Sequence, residues 1–148
     1  MDLRQWTSAL AFAIAVGAAP AAFSADNAVS PAVKQFAQKL VDAHTSARTE
    51  LEAQAKVAGL NVVAPVLTDD QLKDIDNLRR ASPQDLEKDF INLQQDAHED
   101  AVDLFRNYAE NGDNATLKAF AAKMVPDLSH ASSPPAWAGS LGCGGLMR

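Results

Sequence analysis

The chain has 148 residues, a formal net charge of -6, 47% hydrophobic residues and only 6% aromatic residues. This length fits one domain at most, and the acidic balance argues against a nucleic-acid partner, because phosphates are bound by clusters of Lys and Arg that the sequence lacks. The single cysteine, Cys143, excludes an internal disulfide.

The first residues have the pattern of a secretory signal peptide. Arg4 supplies a positive charge, residues 9–16 form an uninterrupted apolar run, and Ala22-Phe23-Ser24 fits a small-x-small cleavage site. We therefore predict a signal peptide over residues 1–24 and a mature chain that begins at Ala25. The apolar run is too short for a membrane span. Export of a chain with one thiol fits a bacterial periplasm.

Two helices are predicted in the first half of the mature chain. Ser30-Pro31 is typical of a helix start, and Gly59 ends that helix. Thr68 begins a shorter helix, because Gln71 three residues later completes a capping box. Apolar positions repeat at spacings of three and four in both helices. They are Val33, Phe36, Ala37, Leu40, His44, Ala47 and Leu51 in the first helix and Leu72, Ile75 and Leu78 in the second.

Two further helices are predicted in the second half. Ser82-Pro83 repeats the start signal of a long helix that ends at Asn111-Gly112, and Asn114 caps a last helix in which Pro126 predicts a kink. The inward positions of the long helix are Leu86, Phe90, Leu93, Ala97, Leu104 and Tyr108, flanked by Ile91, His98, Val102 and Phe105. Those of the last helix are Leu117, Phe120, Ala121, Met124 and Leu128. The acidic residues predicted to form a solvated face are Glu87, Asp96, Glu99, Asp100 and Asp103.

Two blocks of sequence recur within the chain. Residues 33–41 return as residues 117–125 with five of nine positions identical. Residues 42–44, Asp-Ala-His, return as residues 96–98, and apolar residues follow both copies at the same offsets. Repeated helical blocks with inward-facing apolar residues predict an all-α bundle of similar helices.

Three separated segments resemble the hallmarks of the domain-of-unknown-function 4142 family. They are VKQFAQKLVDAHTSARTEL, the segment from Phe90 through His98 to Phe105, and LKAFAAKMVPDLSH, which ends at His130. The resemblance covers residues 30–131 and implies an exported, ferritin-like antiparallel helical bundle; some members are labelled predicted outer membrane proteins. Compared with what the resemblance implies, we expect the chain to lack most of the first family helix and the end of the last helix, and we expect residues 132–148 to be disordered.

A metal site is the sharpest chemical hypothesis, because ferritin-like bundles hold di-iron through Glu and Glu-x-x-His. The residues three and four positions from His44 and from His98 include no carboxylate, which argues against such a site. His44, His98 and His130, one from each of three helices, are an alternative set of ligands for Zn or Cu. The simpler interpretation is that each histidine is a partly buried helix residue, hydrogen-bonded to backbone or to Asp.

The sequence contains no recognisable catalytic or cofactor-binding motif. We therefore predict a non-enzymatic periplasmic or envelope protein, with an expected outer-membrane association, no cofactor and no integral membrane span after signal cleavage. Its acidic surface and amphipathic helices favour contact with an unknown protein partner or self-association. The competing prediction is a metal-binding ferritin-like protein that uses the three histidines.

Overall fold

The computed structural model describes residues 20, 21, 23, 24, 26, 27, 30–60 and 67–131. Its four helices there are α1 (Pro31–Val57), α2 (Asp69–Arg80), α3 (Pro83–Asn111) and α4 (Ala115–Ala131), without a strand among those residues. The described residues between 20 and 27 are helical as well. The all-α fold is confirmed. Most of the predicted signal peptide and all of the predicted disordered tail lie outside the described residues.

The helices begin where the sequence places their caps, but the caps differ in strength. The side chain of Thr68 accepts from the Gln71 N–H as half of a complete capping box, and that of Ser82 accepts from the Asp85 N–H at 3.2 Å. Asn114 Oδ1 accepts from two N–H groups of the first turn of α4, at 3.0 and 3.1 Å. The side chain of Ser30 makes no capping hydrogen bond, although it precedes proline as Ser82 does. Local sequence therefore defines the helix starts even where one cap is not formed.

Helices α1 and α3 run parallel and in register. The ring of Phe36 meets that of Phe90 with centroids 6.2 Å apart, and the ring of His44 meets that of His98 at 5.5 Å. Both pairs advance by eight residues along each helix, which requires parallel directions. The connection that contains α2 returns the chain to the end of the bundle where α1 began. Helix α4 follows α3 after a short turn, so it runs antiparallel both to α3 and to α1, against which it also packs.

Two apolar clusters form the core. The first cluster contains residues near the start of α1 and α3, together with Leu78 of α2 and Ala21. The second cluster joins the later parts of α1 and α3 to α4. The buried members of the first cluster are Ala21, Val33, Ala37, Leu40, Leu78, Leu86, Phe90 and Ile91. Those of the second cluster are Ala47, Leu51, Phe105, Tyr108, Leu117, Phe120 and Ala121.

Residues from the predicted signal peptide contact this core. Ala21 is fully buried in the first cluster, and Phe23 packs against the same cluster. The guanidinium of Arg79 lies over the Phe23 ring, 6.0 Å from its centroid. In the structure of the uncleaved chain, this segment and the first cluster are therefore packed together.

Two predictions about burial are wrong. Leu72, predicted to be buried, is 48% exposed; α2 buries Ile75 and Leu78, and with 3.6 residues per turn Leu72 lies about 120° around the helix from Leu78, at the edge of the buried face. Glu87, predicted to lie on a solvated face, is only 6% exposed, because it lies one turn before Phe90 on the inward face of α3. The other four acidic residues of that predicted face are exposed: Asp96, Glu99, Asp100 and Asp103.

The ends of α3 and α4 add two details. Gly112 follows α3 with φ of -62°, so no left-handed conformation requires glycine there. A Cβ at this position would instead lie 2.6 Å from the carbonyl oxygen of Tyr108, and this close approach is what excludes a side chain.

Helix α4 continues through Pro126, the site of the predicted kink, to its end at Ala131.

Candidate functional site: a buried histidine pair

The candidate site lies where α1 and α3 present histidines to each other. His44 follows Leu40 by one turn and precedes Ala47 on the buried face of α1, so it lies between the first and second clusters. His98 occupies the same level of α3, between Ile91 and Phe105. The parallel register of the two helices brings these side chains together, and the two imidazoles form a polar layer between the two apolar clusters, one turn after the buried Gln94 of α3.

The rings of His44 and His98 have centroids 5.5 Å apart and planes inclined at 48°. The two side chains are 8% and 4% exposed. His98 Nδ1 lies 2.7 Å from the carbonyl oxygen of Gln94. Because a carbonyl oxygen only accepts, we assign the His98 proton to Nδ1, which leaves the lone pair on Nε2. The Nε2 atom of His44 is buried and has no hydrogen-bond partner among the described residues.

Both imidazoles are held in their neutral form. Burial, and then the neighbouring His98, lowers the pKa of His44 from 6.5 to about 4. Burial also lowers the pKa of His98, and the hydrogen bond to the Gln94 carbonyl opposes this shift. The physical cause is the same for both rings, since an imidazolium loses hydration in the core and meets a second imidazole rather than a carboxylate.

The third histidine does not join this pair. His130 is exposed near the end of α4, where its Nδ1 lies 2.7 Å from the Pro126 carbonyl oxygen. Within the described part of the chain, no group of three or more His, Cys, Asp or Glu side chains is placed to hold a metal ion. The three-histidine ligand set is therefore not assembled, and the metal-binding alternative has no support. The predicted hydrogen bond to nearby backbone is confirmed for His98 and His130, but His130 is exposed rather than partly buried, and the Nε2 atom of His44 has no such partner among the described residues.

Two polar residues of α3 are buried although the sequence pattern does not predict it. Glu87 and Gln94 are 6% and 2% exposed, and Glu87 Oε1 accepts a hydrogen bond from the Ser30 N–H. Their positions continue the spacing of three and four residues through Phe90, Ile91 and His98. Both residues lie on the same buried stripe by position, but the charge of Glu87 led to its prediction on the solvated face, and the polar Gln94 was not included among the inward positions.

The repeat does not by itself predict the histidine pair. The two Asp-Ala-His segments are separated by 54 residues, as are Phe36 and Phe90. Residues 33–41 and 117–125 are separated just as constantly, by 84 residues, yet they lie on the antiparallel helices α1 and α4. The repeat therefore predicts similar helices, but neither their relative direction nor which of them meet.

A second, smaller feature is a cleft between α1 and α4. Its volume is about 230 Å³, below the roughly 300 Å³ at which small-molecule sites usually begin. Lys123 Nζ and Glu50 Oε1 form an ion pair at 2.6 Å across its wall. The full lining is Glu50, Gln54, Thr116, Ala119, Phe120 and Lys123. Because the two opposite charges in this wall are paired with each other, the cleft is a weak candidate for ligand binding.

The outer surface of α3 is strongly acidic. This helix contains eight acidic and two basic residues, so its charge equals the formal net charge of -6 of the whole chain. Among the described residues, none of the helices combines the length and hydrophobicity required to span a bilayer. The eight acidic and two basic residues of α3 make negative charge the main surface feature of this helix.

Comparisons with known proteins agree with the fold. The family model described as Domain of unknown function (DUF4142) matches residues 4–133. The crystal structure of a conserved hypothetical protein, rv2844, from Mycobacterium tuberculosis is similar, with a TM-score of 0.63 and 16% sequence identity over 97% of this chain and 94% of that chain. At this identity the likeness shows a shared fold alone. No curated protein matches the chain significantly.

Proposed function

The chain belongs to the family of the domain of unknown function DUF4142, and on this premise we propose that it is a non-enzymatic, exported protein of the cell envelope. It acts through contact with a protein partner or with a second copy of itself. The signal-peptide pattern over residues 1–24 supports export to the periplasm. Association with the outer membrane is part of the proposal.

The observation that carries the contact function is the acidic face of α3. Asp96 and Asp100 are exposed one turn apart, and Asp89, Glu99 and Asp103 are exposed on the same helix. A concentrated negative surface attracts a partner with a basic surface and accelerates its association. The only ion pair of α3 among the described residues joins Asp103 to Arg106 of the same helix, so most of this charge is available to a partner.

The non-enzymatic role is proposed because the sequence contains no recognisable catalytic motif. Within the described residues, His44 and His98 are buried and face each other, and this arrangement gives neither ring the carboxylate that commonly orients a general base. The parallel arrangement of α1 and α3, joined by a long connection, supports the ferritin-like topology, which contains one crossover of this kind.

Cross-linking in intact cells, followed by separation of cytoplasm, periplasm and outer membrane, tests the proposal. The test variant is Asp96→Asn with Asp100→Asn on α3, and the matched control is Asp74→Asn with Asp127→Asn on α2 and α4. Both remove two negative charges, and all four residues lie at least partly at the surface.

We expect the chain in the periplasmic or outer-membrane fraction, with a discrete cross-linked species that the α3 variant reduces several-fold and the control retains. A chain confined to the cytoplasm contradicts the export proposal. A cross-linked species that both variants retain equally, or no such species at all, contradicts contact through α3.

A further inference from the structure

We propose that His44 and His98 form an acid-sensitive contact between α1 and α3, so that acidification opens the bundle at the level of the histidine layer. This inference does not rest on the proposed contact function. It begins from geometry: two imidazoles lie 5.5 Å apart in a parallel helix pair, with apolar clusters on both sides. Neither ring can gain a proton without placing a charge in this layer.

No carboxylate is placed to compensate such a charge. Helix α3 presents His98 to His44, and the buried carboxylate of that helix, Glu87, lies 11 residues before His98, about 16 Å along the helix axis. Glu87 is also bonded to the Ser30 N–H. The aspartates two residues before each histidine, Asp42 and Asp96, are exposed.

The other packed elements do not supply a counter-charge either. Every described titratable side chain of α2 is exposed or half-exposed, and so is Asp26. On α4, Lys123 is paired with Glu50 and His130 is bonded to the Pro126 carbonyl, while Lys118 and Asp127 lie at the surface. The group that acts electrostatically on His44 is His98. If both rings are protonated, two like charges therefore face each other in the core.

The sign of the pH dependence follows from the folded and unfolded protonation states. In the unfolded chain both histidines titrate near the ordinary pKa of about 6.5, whereas the folded bundle lowers the pKa of His44 to about 4 and also lowers that of His98. The unfolded chain then binds more protons between these values, so stability is fully present above pH 6.5 and is lost as the pH falls toward 4.

The test is the unfolding equilibrium of the full-length protein between pH 7.5 and 4.5, measured by denaturant titration with circular dichroism. We compare wild type, His44→Gln with His98→Gln, and the control His130→Gln, which removes a histidine outside the pair. Two protons taken up on unfolding raise the unfolding constant by up to about 100-fold for each pH unit lost. We expect this acid response in wild type and in the control. In the double variant, we expect the change in the logarithm of the unfolding constant per pH unit to be at least tenfold smaller.

A second measurement keeps the proposal testable if the double variant does not fold. In NMR spectra of wild type, we expect the ring signals of His44 to remain those of neutral imidazole at pH 5.5 while the bundle is folded, and those of His98 to become charged only below the ordinary pKa of about 6.5. The proposal is overturned if either ring becomes charged near pH 6.5 with the fold intact. It is overturned equally if the double variant keeps the wild-type acid response.

Discussion

At the scale of single residues, Glu87 is buried because it has a specific partner. The Ser30 N–H lies at the start of α1, where backbone donors lack partners within the helix, and the Ser30 side chain makes no capping bond there. The Glu87 carboxylate accepts from this N–H, although the two residues are 57 positions apart. A side chain of α3 therefore helps to fix the first turn of α1.

Replacing Glu87 tests this role. Glu87→Ala leaves the Ser30 N–H without its acceptor, and we expect a loss of about 1–3 kcal/mol in the free energy of unfolding. Glu87→Gln keeps an acceptor oxygen and should cost clearly less. The control Asp100→Ala removes an exposed acid of the same helix and should stay within about 0.5 kcal/mol of wild type. Denaturant unfolding measures all three variants, and equal losses for Glu87→Ala and Asp100→Ala would contradict the assignment.

At the scale of helices, two identical start signals have different structures. Ser30-Pro31 and Ser82-Pro83 both precede long helices, but only Ser82 makes a capping bond, to the Asp85 N–H. Its hydroxyl also donates to Asp85 Oδ2 at 2.6 Å. Proline with its fixed φ favours the helix start in both cases, so the boundary is predictable even though the capping bond is not.

Alanine substitutions separate the two caps. Ser82→Ala should lower the free energy of unfolding by about 1 kcal/mol, because the Asp85 N–H loses its acceptor. Ser30→Ala removes no capping bond and should cost less than about 0.3 kcal/mol. Melting curves followed by circular dichroism compare the variants with wild type. A loss for Ser30→Ala as large as that for Ser82→Ala would show that the Ser30 hydroxyl caps α1 after all.

The helices were more predictable than the contacts between them, because caps and periodicity are local properties. Thr68, Ser82 and Asn114 each mark a helix start within a few residues. Burial of Leu72 or of Glu87 depends instead on which other helix covers that position. The relative direction of two helices is a non-local property as well, since nothing within α1 or α3 indicates that they run parallel. The direction follows only from the structure, in which Phe36 meets Phe90 and His44 meets His98.

At the scale of the whole molecule, the two clusters are joined by continuous helices rather than by a continuous apolar core. Helices α1 and α3 pass through both clusters and through the histidine layer between them. Helix α4 contributes only to the second cluster, and Leu78 of α2 and Ala21 contribute only to the first. The first cluster therefore depends on residues that precede α1, and removing them weakens one end of the bundle.

Shortening the chain tests this dependence. A chain that begins at Pro20 keeps Ala21 and Phe23, whereas one that begins at Ala25, the predicted mature start, loses the buried Ala21 and the Phe23 ring over Arg79. Loss of one small buried side chain and one half-buried aromatic side chain should lower the free energy of unfolding by about 2 kcal/mol. Denaturant unfolding of both chains, with amide hydrogen exchange by NMR, measures the loss and its location. We expect faster exchange around Val33, Leu78 and Phe90 than around Phe105 and Phe120. Equal stability of the two chains would show that the core of the mature bundle does not need the residues before Ala25.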